Sequence, residues 1–201
     1  EISLGLVVSV RCIRDSAAAF GVVLVSAGRL PLLLRSWQAA ALAAGAVLLY
    51  VAVYTPLKLV AWWNTLVGAV PGAIPPLIGW VVVARQLDLG AWLAFGLLFL
   101  WQLPHFYAIA WLCREDYERA GIRMATAAGH PPALVGAQVV GASLLLLPVC
   151  VALFSHGVVG MAFLAGGLAV SIAFGWTALG FVRGPSAASA GALLRASVWY
   201  L

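Results

Sequence analysis

Four long stretches of the 201-residue chain contain no charged side chain, and they restrict its possible folds more than any other feature. No Asp, Glu, Lys or Arg occurs in residues 36–57, 59–84, 89–113 or 124–182. A transmembrane helix needs about 20 apolar residues, so each of the first three stretches fits one span and the last fits two. Only 8% of the residues are charged, whereas soluble domains have about 25%. These observations predict an integral membrane protein.

The apolar stretches are continuous rather than alternating, which favours helices over the strands of a membrane barrel. The predicted fold class is all-α: a polytopic transmembrane helical bundle in one domain, residues 1–201, with six full spans and the start of a seventh. The spans are predicted at residues 16–34, 37–56, 62–84, 90–112, 132–154 and 158–182, and the seventh begins near Leu193. Because the chain starts with Glu1 and stops within an apolar stretch, we expect it to be part of a longer protein.

The basic residues are distributed unevenly between the two predicted sides of the membrane. One side receives Arg11, Arg14, Lys58, Arg114, Arg119, Arg123, Arg183 and Arg195. The other receives Arg29, Arg35 and Arg85. Basic residues concentrate on the cytoplasmic side of membrane proteins. The bias predicts an inner-membrane protein whose charged loop, residues 113–131, is cytoplasmic.

Within that loop, residues 114–123 hold six charged side chains in ten positions. Carboxylates such as Glu115 and Asp116 are the hard oxygen ligands that Mg²⁺ prefers, and Mg²⁺ commonly bridges carboxylates to a substrate's phosphates. The neighbouring arginines can bind phosphate oxygens directly. The alternative is a solvated, self-paired loop that only sets topology.

Polar residues within or beside the spans are the other candidates. Lys58, the only lysine, and Asn64 lie on the side of the charged loop. The alternative for Lys58 is a snorkelling terminal lysine, whereas a buried Asn64 needs a partner because unpaired polar groups are costly in a membrane. His105 follows Pro104, and residues 68–76 are rich in Gly and Pro, so we expect interrupted helices at both places. Irregular backbone at membrane depth occurs where it packs in protein or lines a cavity.

Two long runs resemble a known family: YTPLK…WWNTLVGAVPGAIPPLIGW, from Tyr54, and FLWQLPHFYAIAWLCREDYERAGIRM, ending at Met124. They are similar to the UbiA-type intramembrane prenyltransferases, above all to the protoheme IX farnesyltransferase (haem O synthase) branch. The resemblance implies a helical bundle around a cavity that opens toward lipid, with cytoplasmic loops over it. It also implies farnesyl diphosphate and haem B as substrates and Mg²⁺ as cofactor.

The resemblance assigns roles to residues that match the family pattern. Asp116 is the implied Mg²⁺ ligand, with Glu115 as helper. The groups implied for the diphosphate are Lys58, Arg114, Tyr117, Arg119 and Arg123. Asn64 and His105 are implied to line the cavity near the acceptor or the prenyl head. The implied cavity aromatics, whose faces stabilise an allylic cation, are Tyr54, Trp62, Trp63, Trp101 and Tyr107.

The chain departs from the family pattern near this site. The family's first acidic motif is absent, because residues 1–15 contain only Glu1 and Asp15 as acids. We therefore expect the chain by itself to bind Mg²⁺–diphosphate poorly. Two other hypotheses remain: prenylation of an aromatic quinone precursor, and a non-catalytic membrane protein that binds a ligand or assembles with a partner.

Overall fold

A computed structural model describes residues 36–119, 121–122 and 132–201, and regular structure in these residues is entirely helical. The predicted first span, residues 16–34, lies outside them. The helices are α1 (Trp37–Leu48), a π-helical segment (Leu49–Tyr54), α2 (Thr55–Val60), α3 (Asn64–Ala73), α4 (Pro75–Ala84), α5 (Leu89–Leu112), α6 (Arg114–Arg119), α7 (Pro132–Ser155), α8 (Met161–Arg183) and α9 (Ala187–Tyr200).

Five helical stretches in the described residues are long and apolar enough to cross a membrane. They are Trp37–Val60, Asn64–Ala84, Leu89–Leu112, Ala133–Ser155 and Met161–Arg183. The prediction of an all-helical, multi-pass bundle is confirmed, with small shifts of the ends. The first stretch continues four residues beyond the predicted end, and α9 begins before Leu193.

Local side-chain chemistry sets several helix ends. The Ser36 hydroxyl accepts the Ala39 N–H at 3.3 Å before α1, and the Asp88 carboxylate accepts the Ala91 N–H at 3.0 Å before α5. Such caps satisfy backbone donors that have no partner within the helix. After α7 the chain turns at Gly157, whose φ of +70° is readily adopted only without a β-carbon.

The two regions that the sequence predicts to be interrupted, residues 68–76 and the surroundings of Pro104, differ in structure. The Gly- and Pro-rich region is interrupted as predicted: α3 passes through Pro71, ends at Ala73, and α4 begins at Pro75. The predicted interruption around Pro104 is wrong, because α5 runs unbroken from Leu89 to Leu112 with Pro104 inside it. A membrane helix tolerates an internal proline where neighbouring helices pack against it, and Pro104 is buried.

Helix α5 is the centre of the described bundle and packs against α3, α4, α7 and α9. The main core joins its Tyr107 to Leu146 of α7, Phe174 of α8 and Leu193 of α9. Small residues permit close helix contact, as is common within membranes. A β-carbon at Gly136 of α7, for example, would lie 2.8 Å from Val182 Cγ1 of α8.

Candidate active site

A cavity of about 230 Å³ lies at the end of the bundle next to the charged loop. The π-helical segment, α3, α5 and α6 form its wall, which consists of Tyr50, Tyr54, Thr65, Gly68, Phe106, Ile109 and Tyr117. Small-molecule sites usually measure about 300–1,000 Å³. The cavity is therefore smaller than a typical small-molecule site and encloses only part of a large ligand.

The π-helical segment places two tyrosines on this wall. Thr55 donates both its N–H and its hydroxyl (2.9 Å) to the Tyr50 carbonyl, and the next residue, Pro56, has no N–H to continue the α-helical ladder. The resulting bulge brings the Tyr50 and Tyr54 rings to a centroid distance of 5.2 Å. Single-turn π-bulges occur frequently at functional sites.

Gly68 is required where α3 meets the π-helical segment. A β-carbon there would lie only 2.6 Å from Tyr54 Cε2. The Tyr54 ring thus lies against bare backbone of α3, and any larger residue at position 68 would displace the ring.

Asn64 is fully buried at the start of α3, one residue before Thr65 of the cavity wall. Its amide donates to the Ala61 carbonyl at 2.8 Å, and its Oδ1 accepts from the Thr65 hydroxyl at 3.4 Å. The sequence-based expectation that Asn64 needs a partner is therefore met. The side chain orients Thr65 at the cavity.

The charged loop begins with the short helix α6, in which Tyr117 faces the cavity and Glu115, Asp116, Glu118 and Arg119 are exposed. Arg119 Nη2 lies 3.7 Å from Glu115 Oε2 and 3.5 Å from Asp116 Oδ1. All three side chains are more than 70% exposed. Such pairs contribute at most about 1 kcal/mol, so they can be exchanged for a ligand at little cost.

Two groups at this end of the molecule face the protein rather than water. Burial, assisted by the neighbouring Cys113 thiol, raises the pKa of Tyr117, so its hydroxyl stays protonated at neutral pH. The Arg114 guanidinium lies 5.3 Å from the centroid of the Trp111 ring and donates to the Trp111 carbonyl at 3.3 Å. This cation–π contact holds Arg114 at the bundle end while its side chain remains 42% exposed.

His105 and Trp101 lie on the side of α5 that faces α9. Their rings stack at 5.0 Å, and a single residue of α9, Ser197, binds both. The Trp101 Nε1–H donates to the Ser197 carbonyl at 2.7 Å, and His105 Nδ1 lies 2.8 Å from Ser197 Oγ. His105 also contacts the Phe106 ring of the cavity wall, at a centroid distance of 5.7 Å. It therefore borders the cavity without being part of its wall.

Comparison with known proteins decides the family. The UbiA prenyltransferase family model matches residues 6–199, nearly the whole chain.

The chain belongs to the UbiA prenyltransferase family.

Several relatives are named protoheme IX farnesyltransferase. The protein from Solibacter usitatus is 38% identical over 192 residues, which cover 95% of this chain and 66% of that protein. The Salinibacter ruber protein is 39% identical, with 76% and 54% covered, and the mitochondrial protein of Neurospora crassa is 40% identical, with 80% and 34% covered. This chain thus spans between about a third and two thirds of these relatives' lengths. No solved structure matches it.

UbiA prenyltransferases generally use a divalent metal to bind diphosphate. Within the described residues, no three His, Cys, Asp or Glu side chains form a metal-binding group. Glu115 and Asp116 nevertheless converge on one cation, Arg119 Nη2, with an oxygen from each within 4 Å. Two carboxylates together with substrate phosphate oxygens are a common Mg²⁺ ligand set. The acidic pair therefore fits two of the ligands in such a set.

Four other residues expected at a UbiA-type site are not part of the cavity wall. Trp62 packs against the main core, Trp63 is 44% exposed, and Tyr107 is fully buried with its hydroxyl donating to Gln138 Oε1. Lys58 is half-buried in the last turn of α2. Arg123 lies outside the described residues.

Sequence reasoning did not identify Tyr50, Thr65, Gly68, Phe106 and Ile109 as part of the wall. Tyr50 carried a usable signal, because it precedes Tyr54 by four residues and so can share a helical face with it. Ser197 carried none, because its role depends on contact with residues more than 90 positions away.

Proposed function

We propose that the protein transfers the farnesyl group of farnesyl diphosphate to a vinyl group of protoheme IX, converting haem B to haem O. The observation that carries this proposal is the cavity beside α6, which has an aromatic wall at one end and an acidic pair with arginines at the other. The names of the relatives support the choice of prenyl donor and acceptor.

The two ends of the site suit the two ends of a prenyl diphosphate. The donor set for Mg²⁺ is Glu115 and Asp116, and the phosphate-binding groups are Arg114, Arg119, Lys58 and, outside the described residues, Arg123. When bound, Mg²⁺ neutralises the diphosphate oxygens and stabilises the leaving group. Arg119 exchanges its weak pairs with the carboxylates for phosphate oxygens, and Arg114 contributes a second guanidinium.

The reaction then follows from the chemistry of an allylic leaving group. The C1–O bond of farnesyl diphosphate breaks, and its electron pair leaves with the diphosphate. The terminal vinyl carbon of the porphyrin forms the new C–C bond, water adds to the neighbouring carbon, and a proton is released. The faces of Tyr50, Tyr54 and Phe106 stabilise positive charge at C1, and the enclosed wall delays water. Tyr117, kept protonated, can donate to the departing diphosphate.

The test is an assay of haem O formation by the full-length protein containing this chain, with haem B, farnesyl diphosphate and Mg²⁺. We expect Asp116→Asn to lower kcat/KM about 100-fold or more, because a preorganised charge next to developing charge typically contributes that much. Glu118→Gln removes the same charge from the same exposed helix and is the matched control, expected to stay near wild type.

Equal activity of Asp116→Asn and Glu118→Gln would contradict the assignment of Asp116 as a metal ligand. Prenylation of an aromatic quinone precursor in place of haem B by the wild type would change the acceptor. Absence of any prenyl transfer by the full-length wild type would favour a binding or assembly role.

We further propose that α6 lies on the cytoplasmic side of the inner membrane. Successive spans run in opposite directions, so the C-terminal ends of α2, α5 and α8 lie on the same side of the membrane. Lys58 and Arg183 are at two of these ends, and Arg114 follows the third. Basic residues concentrate on the cytoplasmic side. A cysteine at position 118, in a protein without other cysteines, should react with a membrane-impermeant maleimide only in inverted vesicles. Reaction in intact cells would show that α6 lies on the opposite side of the membrane.

A further inference from the structure

The contact between α5 and α9 determines which nitrogen of His105 carries the proton. Ser197 Oγ lies 2.6 Å from the Leu194 carbonyl oxygen and 2.8 Å from His105 Nδ1. Two oxygens that close require a proton between them, and a carbonyl cannot supply it. The single hydroxyl proton of Ser197 therefore goes to Leu194, and His105 Nδ1 must donate to Ser197 Oγ.

A neutral imidazole with a proton on Nδ1 has a free lone pair on Nε2. The two ring nitrogens point in diverging directions, so Nε2 points away from Ser197. Among the described residues, the structure gives His105 a hydrogen bond only through Nδ1. Nε2 thus has a lone pair at membrane depth to which no described residue donates.

The ring is also held firmly. The Trp101 ring stacks on it at an interplanar angle of 23°, and Trp101 is itself tied to the Ser197 carbonyl at 2.7 Å. Ser197 is fully buried, so one residue orients both rings. Metal-binding histidines usually have this arrangement, in which the second nitrogen donates to an oxygen that fixes the tautomer and the ring orientation.

His105 is also close to the proposed reaction site. It lies one helical turn before Ile109 on the same face of α5, and its ring contacts Phe106; both neighbours line the cavity. One turn is about 5–6 Å along the helix. A planar ligand held at His105 would therefore reach the cavity with its edge.

We propose that Nε2 of His105 is an axial ligand of the iron of the porphyrin substrate and that Ser197 is the residue that positions it. Histidine is a common protein ligand of haem iron. Ligation would place the ring edge, and a vinyl group on it, next to the aromatic wall. This inference rests on the proposed function only for the identity of the porphyrin as acceptor.

Spectroscopy of haem bound to the full-length protein tests the ligand directly, without turnover. We expect His105→Ala to lose the absorbance and electron paramagnetic resonance signature of a histidine-bound iron, to weaken haem binding at least about tenfold, and to regain the signature with added imidazole. His156→Ala, in the exposed turn after α7, is the matched control and should leave the spectrum unchanged.

Metal-free protoporphyrin IX separates ligation from simple packing. If His105 binds iron, His105→Ala should bind this probe as tightly as wild type does. An equal loss of affinity for haem and for the metal-free ring would overturn the proposal, and so would an unchanged haem spectrum in His105→Ala. A variant with normal haem binding but no turnover would instead make Nε2 a base for the water-addition step, which also overturns it.

Ser197 is tested through the same spectrum. Loss of a group that orients a metal ligand typically lowers metal affinity 10–100-fold. We expect Ser197→Ala to weaken haem binding about tenfold while the histidine signature remains. Ser143→Ala removes another buried serine hydroxyl that bonds a helix carbonyl, at 2.8 Å from Val139 O, and should leave haem affinity unchanged.

The proposed function and this inference fail separately. If the wild type shows a His105-dependent haem spectrum but forms no haem O, the ligand assignment stands and the proposed reaction is wrong. If the wild type forms haem O while His105→Ala keeps the wild-type spectrum, the proposed reaction stands and the ligand assignment is wrong.

Discussion

The helices on the two sides of α5 have similarly apolar sequences but pack differently. On one side, α7, α8 and α9 pack into a regular core in which Leu146, Phe174 and Leu193 are at most 1% exposed. On the other, the most apolar stretch of the span Trp37–Val60 has no buried residue, and its helix contains a π-helical segment. We call these the packed side (Pro132–Tyr200) and the cavity side (Trp37–Ala84).

The difference shows where irregular backbone occurs. On the packed side, the helices run without a break, even through Pro148 of α7, and small residues let them approach closely. On the cavity side, Pro56 and the Ile74–Pro75 junction interrupt the helical ladder, and tyrosines with a buried asparagine stand beside the interruption. The π-helical segment lies at the cavity wall, whereas Ile74 is buried in protein, and a disturbed ladder is tolerated within a membrane in both settings.

The largest effect on activity should come from a substitution that displaces a side chain of the cavity wall. Gly68→Ala places a β-carbon 2.6 Å from Tyr54 Cε2, so the ring must move within the cavity. We expect kcat for haem O formation to fall about 100-fold, because misplacing a substrate by about 1 Å has that effect. The control is Gly79→Ala, where a β-carbon meets nothing within 4 Å. Similar activity of the two variants would contradict the assignment of this wall to the site.

A smaller effect, on stability rather than activity, is expected on the packed side. Gly136→Ala puts a β-carbon 2.8 Å from Val182 Cγ1, whereas the same change at Gly141 meets nothing within 4 Å. In both variants the better helix propensity of alanine stabilises the helix by about 1 kcal/mol. Only Gly136→Ala also overpacks the contact between α7 and α8, which costs about 1–3 kcal/mol. Unfolding in detergent should therefore show Gly136→Ala less stable than Gly141→Ala by about that amount, at equal turnover per folded molecule. The reverse order would mean that α7 and α8 pack more loosely than described.

The Tyr107 hydroxyl should contribute about 1 kcal/mol to stability. Tyr107→Phe leaves Gln138 Oε1 without its donor on the packed side, and buried hydrogen bonds between membrane helices are of that size. Replacing both partners, as Tyr107→Phe with Gln138→Leu, should recover most of the loss in the free energy of unfolding. If the double variant is less stable than Tyr107→Phe alone, Gln138 has another partner.

The smallest effect concerns pH. Burial raises the pKa of Tyr117 above its usual value of about 10, so the folded protein favours the neutral phenol. The associated stability is fully present below the unfolded pKa and is lost only as pH rises through the folded value. Tyr117→Phe should therefore change activity by one constant factor between about pH 6 and 9. A factor that changes within this range would mean that Tyr117 ionises during function.

Part of the site could be predicted from the sequence for local reasons. Asp116, Glu115 and Arg119 lie within one helical turn, so their convergence needs no tertiary contact. Asn64 was expected to need a partner because an amide cannot remain unpaired within a membrane, and it bonds Ala61 only three residues away. The interruption at Pro104 was mispredicted because the burial of that proline in the bundle is not visible from local sequence.

The sequence by itself determined that the chain crosses a membrane, where its spans lie and which loop carries its charge. Those properties follow from the transfer of apolar side chains into lipid, which each segment satisfies independently. Only the tertiary structure decided that Tyr50 and Phe106 share a cavity wall and that Ser197 orients His105 and Trp101. Those arrangements depend on which helix faces come together, and interhelical packing is decided by side chains far apart in the chain.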